Sequence, residues 1–148
     1  MSNLDLLKEL IKIESISPND NGCFDVIKQQ FEGLDFSFEE TNYKNISNLV
    51  ITNGNSKNKT FCFLGHTDVV PPGPESEWTV PPFSAEIIDN KIYGRGTADM
   101  KGGVACFISA LKEFLSEYKD PSFNIMVLLN SNEEGKLENG KVDGIINE

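Results

Sequence analysis

The chain has 148 residues, a formal net charge of −10 and a hydrophobic content of 39%. This length suits one ordinary domain with a buried core, and the hydrophobic share is typical of globular proteins. The acidic balance argues against nucleic acid as a partner, because only 13 Lys and Arg residues are available to neutralise phosphates. It argues against an anionic membrane surface for the same reason, so neither partner is expected.

The sequence pattern favours a cytoplasmic protein. The first residues lack the basic and apolar regions of a signal peptide. No apolar stretch approaches the ~20 residues that a transmembrane helix needs. The three cysteines, Cys23, Cys62 and Cys106, are odd in number and lie in apolar surroundings. Free thiols in a reducing compartment are therefore expected.

Three helices are predicted from apolar residues at helical spacing. They cover residues 4–13, residues 23–34 and residues 104–115. Asn3 is the expected N-cap of the first helix, because Asn accepts hydrogen bonds from the free amides of a helix start. Residues 69–83 contain five prolines and are expected to form an ordered loop.

Four strands and a hairpin complete the expected fold. The strands are predicted at residues 36–40, 48–52, 60–65 and 125–129, and the hairpin at residues 87–93. The last strand is continuously apolar, as expected of a central strand covered on both faces. Because helices alternate with buried strands, the expected fold class is α/β, a three-layer sandwich with a mostly parallel central sheet.

Side chains that can bind a metal follow two of the predicted strands. His66, the only histidine, ends the third strand, and Asp68 lies two residues further, so both can point to the same face. Such a pair lets the imidazole bind a metal while the carboxylate holds the ring. Asp99 follows a glycine-spaced turn, and Glu133 and Glu134 follow the last strand. Since ligands gather at the carboxyl ends of strands, all can reach one crevice.

Each of these groups also has a plain structural interpretation. His66 can be a buried histidine that is bonded to Asp68. Asp99 can be a helix N-cap, and Glu133 and Glu134 can form a solvated turn. On spacing alone, both the structural and the functional interpretation stay open.

Four segments in order carry a resemblance to a known family: Gly65–Gly73, Trp78 with Pro82-Phe83, Tyr93–Gly103, and Glu133–Gly135. With them, the chain resembles the zinc aminoacylases and carboxypeptidases, a family that includes acetylornithine deacetylase. The Val-Val-Pro-Pro-Gly segment and the tryptophan make it most similar to the succinyl-diaminopimelate desuccinylase branch. The expected fold is accordingly that of a zinc-peptidase-like catalytic domain.

The resemblance implies a metal-dependent amide hydrolase. The expected small-molecule substrate is N-succinyl-LL-2,6-diaminopimelate, which would be cleaved to succinate and LL-2,6-diaminopimelate in lysine biosynthesis. Acetylornithine deacetylase or a related metallopeptidase is the alternative within the same chemistry. A catalytically dead fragment that binds a metal or a partner is the alternative of another class.

The resemblance also implies two Zn²⁺ ions, with Co²⁺ as a possible substitute. His66 would bind one ion, Asp99 would bridge both, and Glu134 would bind the other. Glu133 would act as the general base and Asp68 would orient His66. A general base beside a metal site is the arrangement that amide hydrolysis needs. The peptide bond after Asp99 is expected to be cis.

The chain departs from the family pattern in two respects. Asn132 stands where relatives usually carry Asp, which removes one charge beside Glu133. Relatives are also considerably longer, and they take another carboxylate ligand and a distal histidine from sequence beyond position 148. Residues 1–148 are therefore expected to be the amino-terminal part of the catalytic domain, without the inserted dimerisation domain and the carboxyl-terminal part. The full-length form is expected to be a homodimer, and this chain alone is expected to be nearly inactive.

Overall fold

A mixed four-stranded sheet with helices packed against it forms the centre of the protein. The computed structural model describes residues 1–53 and 59–135. In chain order, the helices and strands are α1 Asn3–Lys12, α2 Cys23–Gln29, β1 Ser37–Tyr43, β2 Ile46–Asn53, β3 Thr60–His66, β4 Glu86–Ile88, β5 Lys91–Tyr93, α3 Gly102–Glu117 and β6 Asn124–Asn130.

The sheet has the strand order β1-β2-β6-β3, and β4 and β5 form a separate hairpin. β6 pairs in parallel with β3, whereas the pairs β1–β2 and β2–β6 are antiparallel. The α/β class and the central position of β6 are confirmed, but the described sheet is mixed rather than mostly parallel. The reason is the connection between β1 and β2, which consists of Lys44 and Asn45 alone. A connection this short joins antiparallel neighbours, whereas parallel neighbours need a long crossover.

The two faces of the sheet have different surroundings. On one face, Ile51, Val127 and Leu129 are fully buried in a core that they share with the helices. The other face carries Cys62, which is exposed, and Leu64, which is 53% exposed. Within residues 1–53 and 59–135, the helices therefore cover one face only. Two of the three predicted layers are present there. The prediction that β6 is covered on both faces is wrong for the described residues.

The helix boundaries correct the sequence prediction in two places. The N-cap of α1 is Ser2 and not Asn3, because Ser2 forms a reciprocal capping box with Asp5. The Ser2 hydroxyl accepts the Asp5 amide at 3.2 Å, and the Asp5 carboxylate accepts the Ser2 amide at 3.3 Å. α2 ends at Gln29 rather than at residue 34, and Gly33 then adopts a left-handed φ of +79°.

No helix in the described part of the chain is long and apolar enough to cross a membrane. The predicted hairpin is confirmed as β4 and β5. The proline-rich loop is ordered as predicted, and the Trp78 indole donates a hydrogen bond to the Pro72 carbonyl at 2.9 Å. The Arg95 guanidinium lies over the Trp78 ring, 5.1 Å from its centroid, which ties the loop to the segment after β5.

A wide helical turn, Thr97–Lys101, leads into α3 and carries Asp99. Its last residue, Lys101, is fully buried. The Lys101 Nζ donates hydrogen bonds of 2.7 Å to the carbonyls of Leu10 and Ile13. These carbonyls lie at the end of α1, where backbone oxygens lack the amide donors that a further helical turn would supply. Lys101 therefore fastens the turn that carries Asp99 to the end of α1.

Two adjacent glycines at the start of α3 differ in the space around them. A Cβ on Gly102 would lie 2.3 Å from the Thr97 backbone oxygen, whereas a Cβ on Gly103 would meet only the Met100 methyl at 3.7 Å. The first distance is far below van der Waals contact, and the second is an ordinary contact. The wide turn can therefore close only over a residue without a side chain at position 102.

We expect Gly102→Ala to lower the free energy of unfolding by about 1–3 kcal/mol, because the backbone of the turn must move. Gly103→Ala is the matched control and should change stability by about 1 kcal/mol or less, in the stabilising direction, because Ala favours helix over Gly. Urea unfolding followed by circular dichroism measures both variants. Equal destabilisation by the two substitutions would show that close approach at Gly102 does not limit the turn.

Candidate metal centre

His66 lies at the end of β3 with its ring buried and both nitrogens in contact with acidic residues. The side chain is 5% exposed. Nδ1 lies 3.0 Å from the backbone oxygen of Asp68, an acceptor that fixes the proton of the neutral imidazole on Nδ1. Nε2 faces carboxylates instead, with Asp99 Oδ1 at 3.2 Å and Glu133 Oε2 at 3.6 Å. The lone pair of the neutral ring therefore points to an acidic cluster.

The spacing of these atoms fits a zinc ion. Two ligands on one tetrahedral zinc lie about 3.4 Å apart, because each bond measures about 2.0–2.2 Å. The separations of 3.2 Å and 3.6 Å from His66 Nε2 lie on either side of that value. Donor atoms of His66, Glu133 and Glu134 also lie within 4.8 Å of one another. The residues present therefore form a donor set that suits a metal ion.

The carboxylates of the cluster face an open cavity of about 360 Å³ that His66, Asp99 and Glu133 line in part. The Asp99 side chain is 74% exposed and that of Glu133 is 51% exposed. Burial and the charges of Asp99 and Glu133 raise the pKa of Glu134. A bound cation would relieve this repulsion between like charges, which is the electrostatic condition for a metal site.

Asp68 connects the histidine to the two glutamates. Its side chain is fully buried. Oδ1 accepts the Glu133 amide and Oδ2 accepts the Glu134 amide, each at 3.1 Å. Oδ1 also lies 3.4 Å from His66 Nδ1. One carboxylate thus fixes the backbone of the Glu133–Glu134 turn and lies against the imidazole.

These contacts perturb the acidity of both partners. Burial alone would lower the pKa of His66, but hydrogen bonds and the negative charges of Asp68 and Glu133 outweigh it and raise the pKa to about 9. Burial alone would raise the pKa of Asp68, yet hydrogen bonds from His66, Ser17 and the Glu133 amide hold it below its ordinary value. Asp68 is therefore charged and His66 is protonated at neutral pH when no metal competes.

The structure brings the five predicted site residues, His66, Asp68, Asp99, Glu133 and Glu134, to one end of the sheet. Asp99 is not the N-cap of α3, because Lys101 precedes that helix, and this excludes the plain structural interpretation of Asp99. The peptide bond between Asp99 and Met100 is cis, as the resemblance implies. The assignment of each residue as ligand, base or orienting group stays a prediction.

The segment after α1 is the part of the site that sequence reasoning missed. No helix or strand is predicted for residues 14–22, but Ile16 forms a parallel bridge with Val69. The Val69 amide donates to the Ser15 carbonyl at 2.9 Å, and the Ser17 amide donates to the Val69 carbonyl at 3.2 Å. The Ser17 hydroxyl donates to Asp68 Oδ2 at 2.5 Å. The sequence signal that could have indicated this contact is the pair Ser15 and Ser17 beside Pro18.

Asn132, which departs from the family pattern, is 8% exposed and lies beside the cluster. The backbone amide of Asn132 donates to the Asn130 side-chain oxygen at 2.6 Å. The residue therefore holds the chain in a tight bend between the end of β6 and Glu133. Because the Asn132 side chain is uncharged, the negative charges at this bend are those of Glu133 and Glu134.

Comparison with known proteins identifies the group to which this site belongs. A family model described as peptidase family M20/M25/M40 matches residues 62–146. The chain is 45% identical over 139 residues to the succinyl-diaminopimelate desuccinylase of Psychromonas ingrahamii, with 94% of this chain and 37% of that enzyme covered. It is 46% identical over 140 residues to the succinyl-diaminopimelate desuccinylase of Hydrogenovibrio crunogenus, with the same coverage of 94% and 37%.

Solved structures agree with these sequence matches. Human carnosine dipeptidase 1 superposes with a TM-score of 0.78 at 26% identity, over 90% of this chain and 32% of that one. The M20 family metallo-carboxypeptidase Sso-CP2 from Sulfolobus solfataricus superposes with a TM-score of 0.73 at 28% identity, over 87% of this chain and 30% of that one. The chain thus spans only about a third of the length of these four proteins. Because the family model covers more than half of its residues, the chain belongs to peptidase family M20/M25/M40.

Proposed function

We propose that the protein containing this chain is a metal-dependent amide hydrolase that cleaves N-succinyl-LL-2,6-diaminopimelate to succinate and LL-2,6-diaminopimelate in lysine biosynthesis. The observation that carries the metal-dependent chemistry is the position of His66, whose Nε2 lies 3.2 Å from Asp99 and which forms, with Glu133 and Glu134, a group whose ligand atoms lie within 4.8 Å of one another. The choice of substrate is supported by the identity of 45% and 46% to two succinyl-diaminopimelate desuccinylases.

In this proposal, His66, Asp99 and Glu134 hold two Zn²⁺ ions, for which Co²⁺ can substitute. His66 would bind one ion through Nε2, Glu134 would bind the other, and Asp99 would contribute its carboxylate to both. Asp99 suits the bridging position because its exposed carboxylate has two oxygens and one of them already lies beside Nε2. When bound, the ions polarise the amide carbonyl and lower the pKa of water.

Glu133 is the proposed general base. Its carboxylate is half-exposed in the cavity, where it can take a proton from the attacking water and deliver it to the leaving amine. Its backbone amide is anchored on the buried Asp68, which limits the positions that the side chain can reach. Asp68 supports the same chemistry by holding the Nδ1 side of the His66 ring.

The pair Glu133→Gln and Glu134→Gln distinguishes base from ligand. Both substitutions remove one negative charge from the same turn, so each is the electrostatic control for the other. We expect Glu134→Gln to weaken Zn²⁺ binding at least tenfold, because a ligand is lost, and Glu133→Gln to change it only a few-fold. Competition with a chromophoric chelator measures both affinities. A large loss from Glu133→Gln alone would reassign Glu133 as the ligand.

Metal binding should depend on pH through His66. Its pKa of about 9 means that a metal must displace a proton at neutral pH. We expect the Zn²⁺ affinity to rise about tenfold per pH unit from pH 6.5 to 9 and then to level off, since one proton is released per imidazole bound. A pH-independent affinity across this window would argue against His66 as a ligand. Isothermal calorimetry in buffers of different ionisation enthalpy counts the released protons.

The same shift affects the stability of the metal-free chain. Because the folded-state pKa of about 9 lies above the unfolded value of about 6.5, protonated His66 stabilises the fold fully at low pH. This contribution should fall as the pH rises from 6.5 through 9. Urea unfolding at several pH values measures it, and His66→Gln is the variant in which the pH dependence over this window should disappear.

The substrate is tested on the full-length protein in which this chain occurs, loaded with Zn²⁺. We expect hydrolysis of N-succinyl-LL-2,6-diaminopimelate to exceed that of N-acetylornithine, and Glu133→Gln to lower kcat by about 10²–10⁴-fold because the general base is lost. Preferential cleavage of N-acetylornithine would move the proposal to acetylornithine deacetylase. Full activity of Glu133→Gln would remove Glu133 from the mechanism.

The isolated chain of 148 residues should show little activity in the same assay. His66, Asp99 and Glu134 give each of two ions at most two protein ligands, counting Asp99 twice, whereas catalytic zinc usually has three.

We also propose that residues 1–148 are the amino-terminal part of a longer catalytic domain, and that the full-length enzyme dimerises through a domain outside them. The three free cysteines support a reducing, cytoplasmic location.

A further inference from the structure

Ser17, in the segment after α1, contacts the buried carboxylate of Asp68. Its hydroxyl donates to Asp68 Oδ2 at 2.5 Å across 51 positions of sequence. The Glu134 amide donates to the same oxygen at 3.1 Å. Ser17 is thus the side-chain hydroxyl that joins the segment after α1 to the carboxylate on which the metal centre depends.

The segment that carries Ser17 is held in place on both sides. The Ser15 hydroxyl donates to the Thr67 carbonyl at 2.7 Å, next to Asp68. The Ser131 hydroxyl donates to the Pro18 carbonyl at 2.7 Å and accepts the Ser47 amide at 2.9 Å. The position of Ser17 is therefore determined by neighbouring hydrogen bonds and not by its contact with Asp68 alone.

We propose that Ser17 is a positioning residue of the metal centre. Its hydroxyl fixes the Asp68 carboxylate in the orientation at which Oδ1 and Oδ2 each hold one amide of the Glu133–Glu134 turn. The inference rests on the proposed metal site, because it assigns Ser17 a role in presenting His66 and Glu134 to a cation. Ser17 itself touches neither the metal nor the substrate in this proposal.

Burial makes this contact consequential. Asp68 is fully buried, so an oxygen that loses a donor cannot take one from bulk water without a change in structure. Without the Ser17 hydroxyl, Oδ2 keeps the Glu134 amide alone, and the orientation of the carboxylate is less restricted. Rotation would move the Glu133 and Glu134 amides and the Oδ1 contact at 3.4 Å from His66 Nδ1 together. One hydroxyl thus influences both sides of the site.

Three variants test the role of Ser17. Ser17→Ala removes the hydroxyl, and Ser17→Thr restores one at the same place. Ser116→Ala is the control, because the Ser116 hydroxyl also donates a short hydrogen bond, to the Glu113 carbonyl at 2.7 Å, but lies on the exposed surface of α3. All three are made in the 148-residue chain and in the full-length protein.

The first readout needs no metal. Amide NMR signals of Glu133 and Glu134 report their hydrogen bonds to Asp68 directly. We expect Ser17→Ala to shift these two signals and to speed their hydrogen exchange more than for other amides of the sheet, while Ser17→Thr and Ser116→Ala leave them near the wild type. Unchanged Glu133 and Glu134 amides, or a uniform loss of protection across the sheet, would overturn the positioning role.

The second readout is the affinity for Zn²⁺, with the visible absorption of Co²⁺ as a spectroscopic check. We expect Ser17→Ala to bind about 10–100-fold more weakly, as for other residues that hold metal ligands, and Ser17→Thr to recover most of the affinity. Equal affinity of Ser17→Ala and wild type would refute the inference. Failure of the wild-type protein to bind either metal would refute the proposed function instead, and the amide readout would still decide whether Ser17 holds the turn.

Discussion

The buried carboxylate of Asp68 is the constraint on which the arrangement of the site depends. It has no access to solvent, so its charge has to be satisfied by the residues around it. These are the amides of Glu133 and Glu134, the Ser17 hydroxyl and the His66 ring. Because they come from three separate parts of the chain, satisfying one charge brings together β3, the turn after β6 and the segment after α1.

The parallel pairing of β3 and β6 explains why this constraint can be met. His66 and Asn130 are register partners at the ends of the two strands, and the Thr67 amide donates to the Asn130 carbonyl at 3.0 Å. Parallel strands end at the same edge, so the residues that follow them emerge side by side. The turn fastened by Lys101 then supplies Asp99 to the same edge from the start of α3. His66, Asp99 and the two glutamates therefore meet at this edge although they come from different helices, strands and turns.

The parts of this arrangement that were predictable are those encoded locally. Helical and strand periodicity located α1, α3, β3 and β6, and the His66-X-Asp68 spacing indicated a paired imidazole and carboxylate. The contact of Ser17 with Asp68 spans 51 positions, and no local pattern encodes it. The direct β1–β2 connection made the sheet mixed, since a short connection overrides the general preference for parallel pairing in α/β folds. Lys101 escaped attention because an isolated lysine usually lies on the surface.

The central claim is that His66 binds a metal through Nε2 while Nδ1 keeps its proton towards Asp68. The chain has one histidine, so its ¹⁵N ring spectrum contains a single pair of signals. Titration of the labelled chain with Zn²⁺ at pH 7.5 tests the claim directly. The account predicts that the Nε2 signal moves to the position of a metal-bound nitrogen while Nδ1 stays protonated. Ring signals that are unchanged at saturating Zn²⁺, or a metal bound at Nδ1, would contradict it.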